Sequence, residues 1–325
     1  MVDALLAAAQ DQPAALPALA RLAHHLAAGD QERVDRSLAA AAALPEADAA
    51  LVRRLVNRQP KPSLYNERDQ FDPAALLEAL AQRQLDPERQ LRALLAAGTD
   101  DDVWDDFYHG RIALAIRELL AQHEEVWSLL LDDLRAALDD GDWQCHRIAL
   151  AGLARSAEAM PACFNRSAAD LEPLLLRATR NLNSFSARRF AITALSYLRV
   201  ITPEVLTALL RLVGDTKEVQ DDALAAAGRF NRLHPSLGQA LPQEIVAALT
   251  DPSALRARAA VRLLEALGTS PAASSAPGLR RQIVAALAAA LQAPNSRRYV
   301  WVSAKTSDGT LDQDLWQALL RVAGF

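Results

Sequence analysis

The sequence predicts an all-α chain, a solenoid of stacked helical hairpins with a small irregular cap at its C-terminal end. Two observations predict it. Hydrophobic residues make up 51% of the 325 residues and are mostly Ala and Leu, whereas aromatics reach only 5%. Ala and Leu head the helix-propensity order, and the β-branched or aromatic runs that mark strands are scarce. The second observation is a period. Five segments share an Ala or Gly step on a Leu-rich stretch opened by charged residues: Gly110-Arg-Ile-Ala-Leu-Ala-Ile, His146-Arg-Ile-Ala-Leu-Ala-Gly-Leu, Arg188-Arg-Phe-Ala-Ile-Thr-Ala-Leu, Gln220-Asp-Asp-Ala-Leu-Ala-Ala-Ala and Arg256-Ala-Arg-Ala-Ala-Val-Arg-Leu. Aligned on Ala113, Ala149, Ala191, Ala223 and Ala259, they recur at intervals of 36, 42, 32 and 36 residues. That is the repeat length of stacked helix pairs, each of which needs its neighbours to bury its apolar face.

In chain order, residues 1–60 alternate Ala/Leu runs with polar breaks and read as short helices. Asp30 is the candidate N-cap of one, and Pro45 starts another that carries Leu51, Leu55 and Val56. Two prolines and the lack of any period make Gln59 to Gln70 a loop. Residues 61–103 hold a shorter hairpin. Asp72-Pro73 and Asp86-Pro87 open its helices, because Asp caps free amides and Pro fits a position whose N–H has no partner. Leu76, Leu77 and Leu80 then face Leu91, Leu94 and Leu95.

The repeat array covers 104–298. Its first helices carry Val126, Leu129, Leu130, Leu134 and Leu138; Leu171, Leu174, Leu175 and Leu182; Val205, Leu206, Leu209, Leu210 and Val213; then Ile245, Val246 and Leu249. The five aligned segments supply the second helices. Thr202-Pro203, Leu241-Pro242 and Asp251-Pro252 mark helix starts, and Gly214, Gly228 and Gly268 mark stops. The stretch from Thr269 to Gly278 reads as a loose linker before a helix over 279–291. Residues 299–325 form the cap: the β-like run Tyr299-Val-Trp-Val-Ser, a polar turn, and an amphipathic helix with Leu315, Trp316, Leu319 and Leu320. A terminal repeat needs such a cover.

Function is less legible. A net charge of −5 does not mark a general polyanion binder. Cys145 and Cys163 make neither a Cys-x-x-Cys pair nor a zinc cage, and read as buried thiols in a reduced setting. The N-terminus lacks a basic region followed by an apolar core, and no apolar run nears the ~20 residues of a bilayer span. A cytoplasmic protein without a membrane contact is the expectation. None of His24, His25, His109, His123, His146 and His234 has metal-ligand spacing, and no phosphate loop or nucleophile elbow is present. The expectation is therefore a chain without catalytic residues, metal or cofactor.

The segment from Asp251 to Leu264 resembles the second helix of a HEAT repeat, and that from Ser186 to Leu195 fits nearly as well. The 216–230 segment departs, with Gln220-Asp221 where an arginine is expected. The ending, Arg297-Arg-Tyr-Val-Trp-Val with Thr310-Leu-Asp-Gln-Asp-Leu-Trp-Gln-Ala-Leu-Leu, resembles the close of HEAT tails on large bacterial STAND (NACHT-type) signalling ATPases. The resemblance implies a sensing or scaffolding module that binds a protein partner.

Charge changes sign in the middle of the array. Asp100 to Asp142 hold 13 Asp/Glu against 3 Arg, around Trp104, Phe107, Tyr108, Trp127 and Trp143. From Trp143 to Thr202 there are 8 Arg against 3 Asp/Glu, among them Arg147, Arg188 and Arg189. These eight aromatic and arginine residues are the candidate binding residues, since aromatic and Arg anchors dominate interface energetics. Three competing readings stay open: an aromatic core with a solvated acidic rim, a divalent-cation site on the carboxylates, and a line of arginines tracking a phosphate backbone. HEAT-like alkylpurine DNA glycosylases use such a groove, so a nucleic-acid-binding, base-excising protein is the alternative function. Arginine at this repeat position also pairs with the carboxylates of neighbouring repeats. Oligomeric state is left open.

Overall fold

The computed structural model describes residues 46–57, 71–98, 106–140, 143–182, 184–237, 240–293, 299–300 and 309–324, with the side chains of 106–109, 140, 143–146, 274–275, 299–300 and 309–310 excepted. The helices and cap expected before residue 45, the loop over 59–70 and Trp104 lie outside the described residues. What is described is all-α, and its strands are two-residue pieces. The chain divides into two units, Met1–Leu130 and Leu131–Phe325.

In the first unit, α1 (46–57) precedes α2 (Pro73–Ala81) and α3 (Pro87–Gly98), which pack on each other and on α4 (Asp106–Gln122). The Asp-Pro reading holds at both helix starts: Asp72 accepts the Ala75 amide at 3.1 Å and Asp86 the Arg89 amide at 2.9 Å. The six leucines of the pair are buried. Two arginines tie α1 in. Arg89 grips Asp48 at 2.9 Å, while Arg111 donates to the Val56 carbonyl at 3.2 Å and lies 5.4 Å over the Phe71 ring. The next helix, α5 (Val126–Asp140), spans the division between the units.

The second unit is organised by a row of helices. α9 (Phe185–Tyr197) packs on α6 (Trp143–Ala159) and on α11 (Lys217–Ala227); α13 (Ala254–Gly268) packs on α11 and on α16 (Leu311–Ala323). Beside the row run α8 (Ala168–Ala178), α10 (Pro203–Leu212), α12 (Gln243–Leu249) and α15 (Pro277–Gln292), each packed on the row helix that follows it in sequence. Ala149, Ala191, Ala223 and Ala259, the aligned positions, are fully buried on four successive row helices. An alanine there lets helix axes approach without leaving a void, which is why the period was visible as alanine. α16 takes the place next to α13 that a further second helix would fill.

Several sequence readings need correction. Leu182 falls beyond the end of α8 and is 85% exposed, and Val246 is on the outer side of α12 at 39%. The Asp251-Pro252 start is displaced: Ser253 is the N-cap of α13 and accepts the Arg256 amide, while Asp251 holds the Ser253 amide at 2.7 Å. The presumed linker after Thr269 contains a short helix, α14 (Pro271–Ser275), capped by Ser270, and α7 (Pro161–Arg166) precedes α8. Cys163 is half-buried rather than buried.

Gly268 has a packing reason. A Cβ there would stand 2.6 Å from Val322 Cγ1, so the glycine admits α16 against α13.

Two small strand pairs complete the unit. β1 (Val200–Ile201) runs parallel to β2 (Arg232–Leu233) and joins the loops that follow α9 and α11. Arg199, at φ 60°, turns its carbonyl to the amides of Asn231 and Arg232, both at 3.0 Å. Pieces of two residues are too short to show alternation, so the sequence pattern missed them. β3 (Tyr299–Val300) pairs antiparallel with β4 (Gly309–Thr310), within the run that read as β-like.

Candidate functional site

Of the residues singled out by charge and aromatic content, Trp127 is buried on α5. Phe107 and Tyr108 are on α4 and Trp143 opens α6, with their side chains outside the described set. Trp127 belongs to the first unit and Arg147, Arg188 and Arg189 to the second, so the two halves of the expected docking surface are described separately.

Arg147 is buried on α6. Arg188, with its side chain 8% exposed, donates from Nε and Nη2 to the two oxygens of Asp215 at 2.8 and 2.7 Å and from Nη1 to the Asn181 carbonyl at 2.7 Å. Burial pushes the Asp215 carboxyl up. The Arg188 hydrogen bond, the Thr216 amide and the Arg188 and Arg211 charges outweigh burial together and leave it below the usual carboxylate range. Arg189 pairs with Asp222 at 2.6 Å across α9 and α11. Arg188 and Arg189 are thus paired with carboxylates of later helices or loops, and Arg258 with one of α16.

A second set of arginines does a related job. Arg177 donates to the Leu138 carbonyl, Arg211 to Thr179, Arg256 to Leu210 and Arg280 to Val322, at 2.6–3.1 Å. Each acceptor lies in the last turn or C-cap of a neighbouring helix, where carbonyls have no partner within their own helix. A guanidinium brings both the donors and the positive charge that a helix C-terminus favours.

The structure assembles one site the sequence did not. Leu224 of α11 and its C-cap Gly228, Arg262 and Glu265 of α13 and its C-cap Thr269, and Asp314, Gln317 and Arg321 of α16 line an open groove of about 430 Å³. On each helix these positions recur three or four residues apart, so each helix turns one face to the groove. Its charges are mostly matched. Arg258, at 1% exposure, lies 2.7 Å from Asp314, and Arg321 pairs with Glu265. Arg262 is left over. Its Nη1 donates to the Leu224 carbonyl at 3.2 Å, and it forms no ion pair among the described residues. Burial, and then the Arg258 charge, holds its guanidinium below the usual arginine value despite Asp314, Glu265 and Asp221. Every groove residue was legible by itself, and Arg262 lies in the fifth aligned segment. Their meeting depends on α16 folding back onto α13, which no local signal encodes.

Among the described residues no group of three or more His, Cys, Asp or Glu is placed to hold a metal ion, and no helix is long and apolar enough to cross a membrane. No protein-family profile matches the chain, and no curated protein matches it. Among solved structures, it is similar to a crystal structure described as that of an engineered protein, at 14% identity and a TM-score of 0.39, over 90% of this chain and 71% of that one. A likeness at that score carries no argument about fold or function.

Proposed function

We propose that this chain is a non-enzymatic protein-binding module, an α-solenoid of HEAT-like hairpins whose row of second helices, α6, α9, α11, α13 and α16, is the surface that receives a partner. The observation that carries the reading is the groove over the last three row helices, with polar and charged side chains on one face of each. A cleft of this volume falls in the range of about 300–1,000 Å³ typical of ligand sites. The nucleic-acid reading draws less support. Arg188, Arg189 and Arg258 are engaged by Asp215, Asp222 and Asp314, which interrupts a phosphate-tracking line.

The test is selection of a displayed random short-peptide library on the full chain, followed by hydrogen-exchange mapping of the bound state. Peptides that protect α9, α11, α13 and α16 are the expected result. Steeply salt-dependent binding to random duplex DNA, with no peptide selected, would overturn the reading.

A further inference from the structure

We infer that the groove between α11, α13 and α16 is a recognition site for a single acidic side chain of an extended peptide segment, with Arg262 as the group that receives its carboxylate. The inference rests on the protein-binding reading above and names the chemistry of its partner. Three features point to it. Arg258 and Arg321 are each matched by a carboxylate, whereas Arg262 has only the Leu224 carbonyl, so the groove holds one cation whose charge is incompletely compensated. Its lowered basicity reports the same condition: burial and the neighbouring arginine act against the charged form more than Asp314, Glu265 and Asp221 support it. An anion entering the groove relieves both, and a charge-assisted contact to a planar guanidinium is among the stronger hydrogen bonds available to a protein.

The remaining lining decides which anion. Glu265 and Asp314 flank Arg262 and repel a polyanion, so a phosphate backbone or an acidic run is disfavoured while one carboxylate is accepted. Gln317 supplies an amide for the polar backbone of an extended chain, and Thr269 an acceptor oxygen, its proton being donated to the Glu265 carbonyl at 2.8 Å. Ala225, Gly228, Val261 and Ala266 keep the remaining wall small, leaving room for a segment rather than a single group. The ligand is thus a stretch of peptide with an isolated Asp or Glu.

Peptides selected on the full chain are resynthesised with each Asp or Glu changed to Asn or Gln, and their affinities are measured by calorimetry. Neutralising one acidic position is expected to weaken binding about ten-fold. Arg262→Gln should lose the same factor, and the peptide change should then cost nothing further, because the two alterations remove one contact. Arg262→Lys, which keeps the charge, should fall between. Glu265→Gln removes a competing carboxylate but also frees Arg321, so tighter binding counts for the assignment only if it is lost in Arg262→Gln. Circular dichroism and the thermal midpoint of each variant separate a lost contact from a lost fold.

Peptides that bind without an acidic requirement, or that ignore Arg262→Gln, overturn the groove assignment; if they still protect the row helices, the protein-binding reading stands. If no peptide binds, both fall. Saturation of the groove by succinate or by a single-stranded oligonucleotide, dependent on Arg262 and not displaced by peptide, also overturns it.

Discussion

Arg188 and Asp215 show how much a single pair can govern here. Arg188 is almost wholly out of solvent, and Asp215 supplies both carboxylate oxygens to it. Changing Asp215 to Asn leaves a buried cation with weaker neutral acceptors. The expected loss is about 1–3 kcal/mol, since Asp215 is partly exposed and Arg188 keeps the Asn181 carbonyl. Urea unfolding measures it. The pH dependence has a definite sign. The Asp215 carboxyl titrates below its ordinary value in the fold. Its contribution is therefore complete above the unfolded-state value of about 3.9 and is lost as pH falls through the lower folded-state value. Wild type should lose stability over that acid range, whereas Asp215→Asn lacks this component, so the gap between the two should narrow. A gap that widens on acidification contradicts the assignment. The pairing of Arg188 with a carboxylate was legible only as an alternative, because its partner lies beyond α10.

At the scale of elements, the contact of α13 with α16 is the one most sensitive to a small change. Gly268→Ala places a methyl 2.6 and 2.7 Å from the two methyls of Val322, which branch at Cβ and cannot swing aside. Overpacking of this kind costs about 1–3 kcal/mol, and the better helix propensity of alanine returns about 1 kcal/mol of it. A modest net loss of stability is expected, with faster hydrogen exchange along α16. The double variant Gly268→Ala/Val322→Ala should recover most of the protection. Unchanged exchange in the single variant means that α16 does not seat where described. The sequence suggested a helix stop at Gly268, yet the helix includes it and Thr269 caps it.

Across the whole second unit, arginine joins one helix pair to the next through carbonyl oxygens as well as carboxylates. Thr179, the C-cap of α8, receives Arg211 through both its carbonyl and its hydroxyl, at 2.7 and 3.1 Å. Burial, and then the Arg180 charge, lowers the Arg211 basicity, so this guanidinium is held by its acceptors at some electrostatic cost. Both bonds leave Nη2, and Arg211→Lys keeps the charge but draws the donor nitrogen back from that position, so it should destabilise the fold by about 1 kcal/mol. Chemical denaturation checks it. A lysine variant as stable as wild type shows that charge alone suffices.

The sequence by itself determined the helical class, most helix positions and the alanine register, because these depend on contacts three or four residues apart and on a period that repeats them. It also determined the caps at Asp72-Pro73, Asp86-Pro87 and Thr202-Pro203, where the chemistry is local, though not the one at Asp251-Pro252. The tertiary structure alone decided which arginines are consumed and which one is left. Arg188, Arg189, Arg258 and Arg262 belong to the same kind of segment, and nothing within those segments distinguishes them. Their fates are set by Asp215, Asp222 and Asp314, carboxylates brought near from 27, 33 and 56 residues away by the packing of one helix pair on the next. Charge compensation is a property of the packed neighbourhood, and the groove around Arg262 exists only once α16 lies against α13.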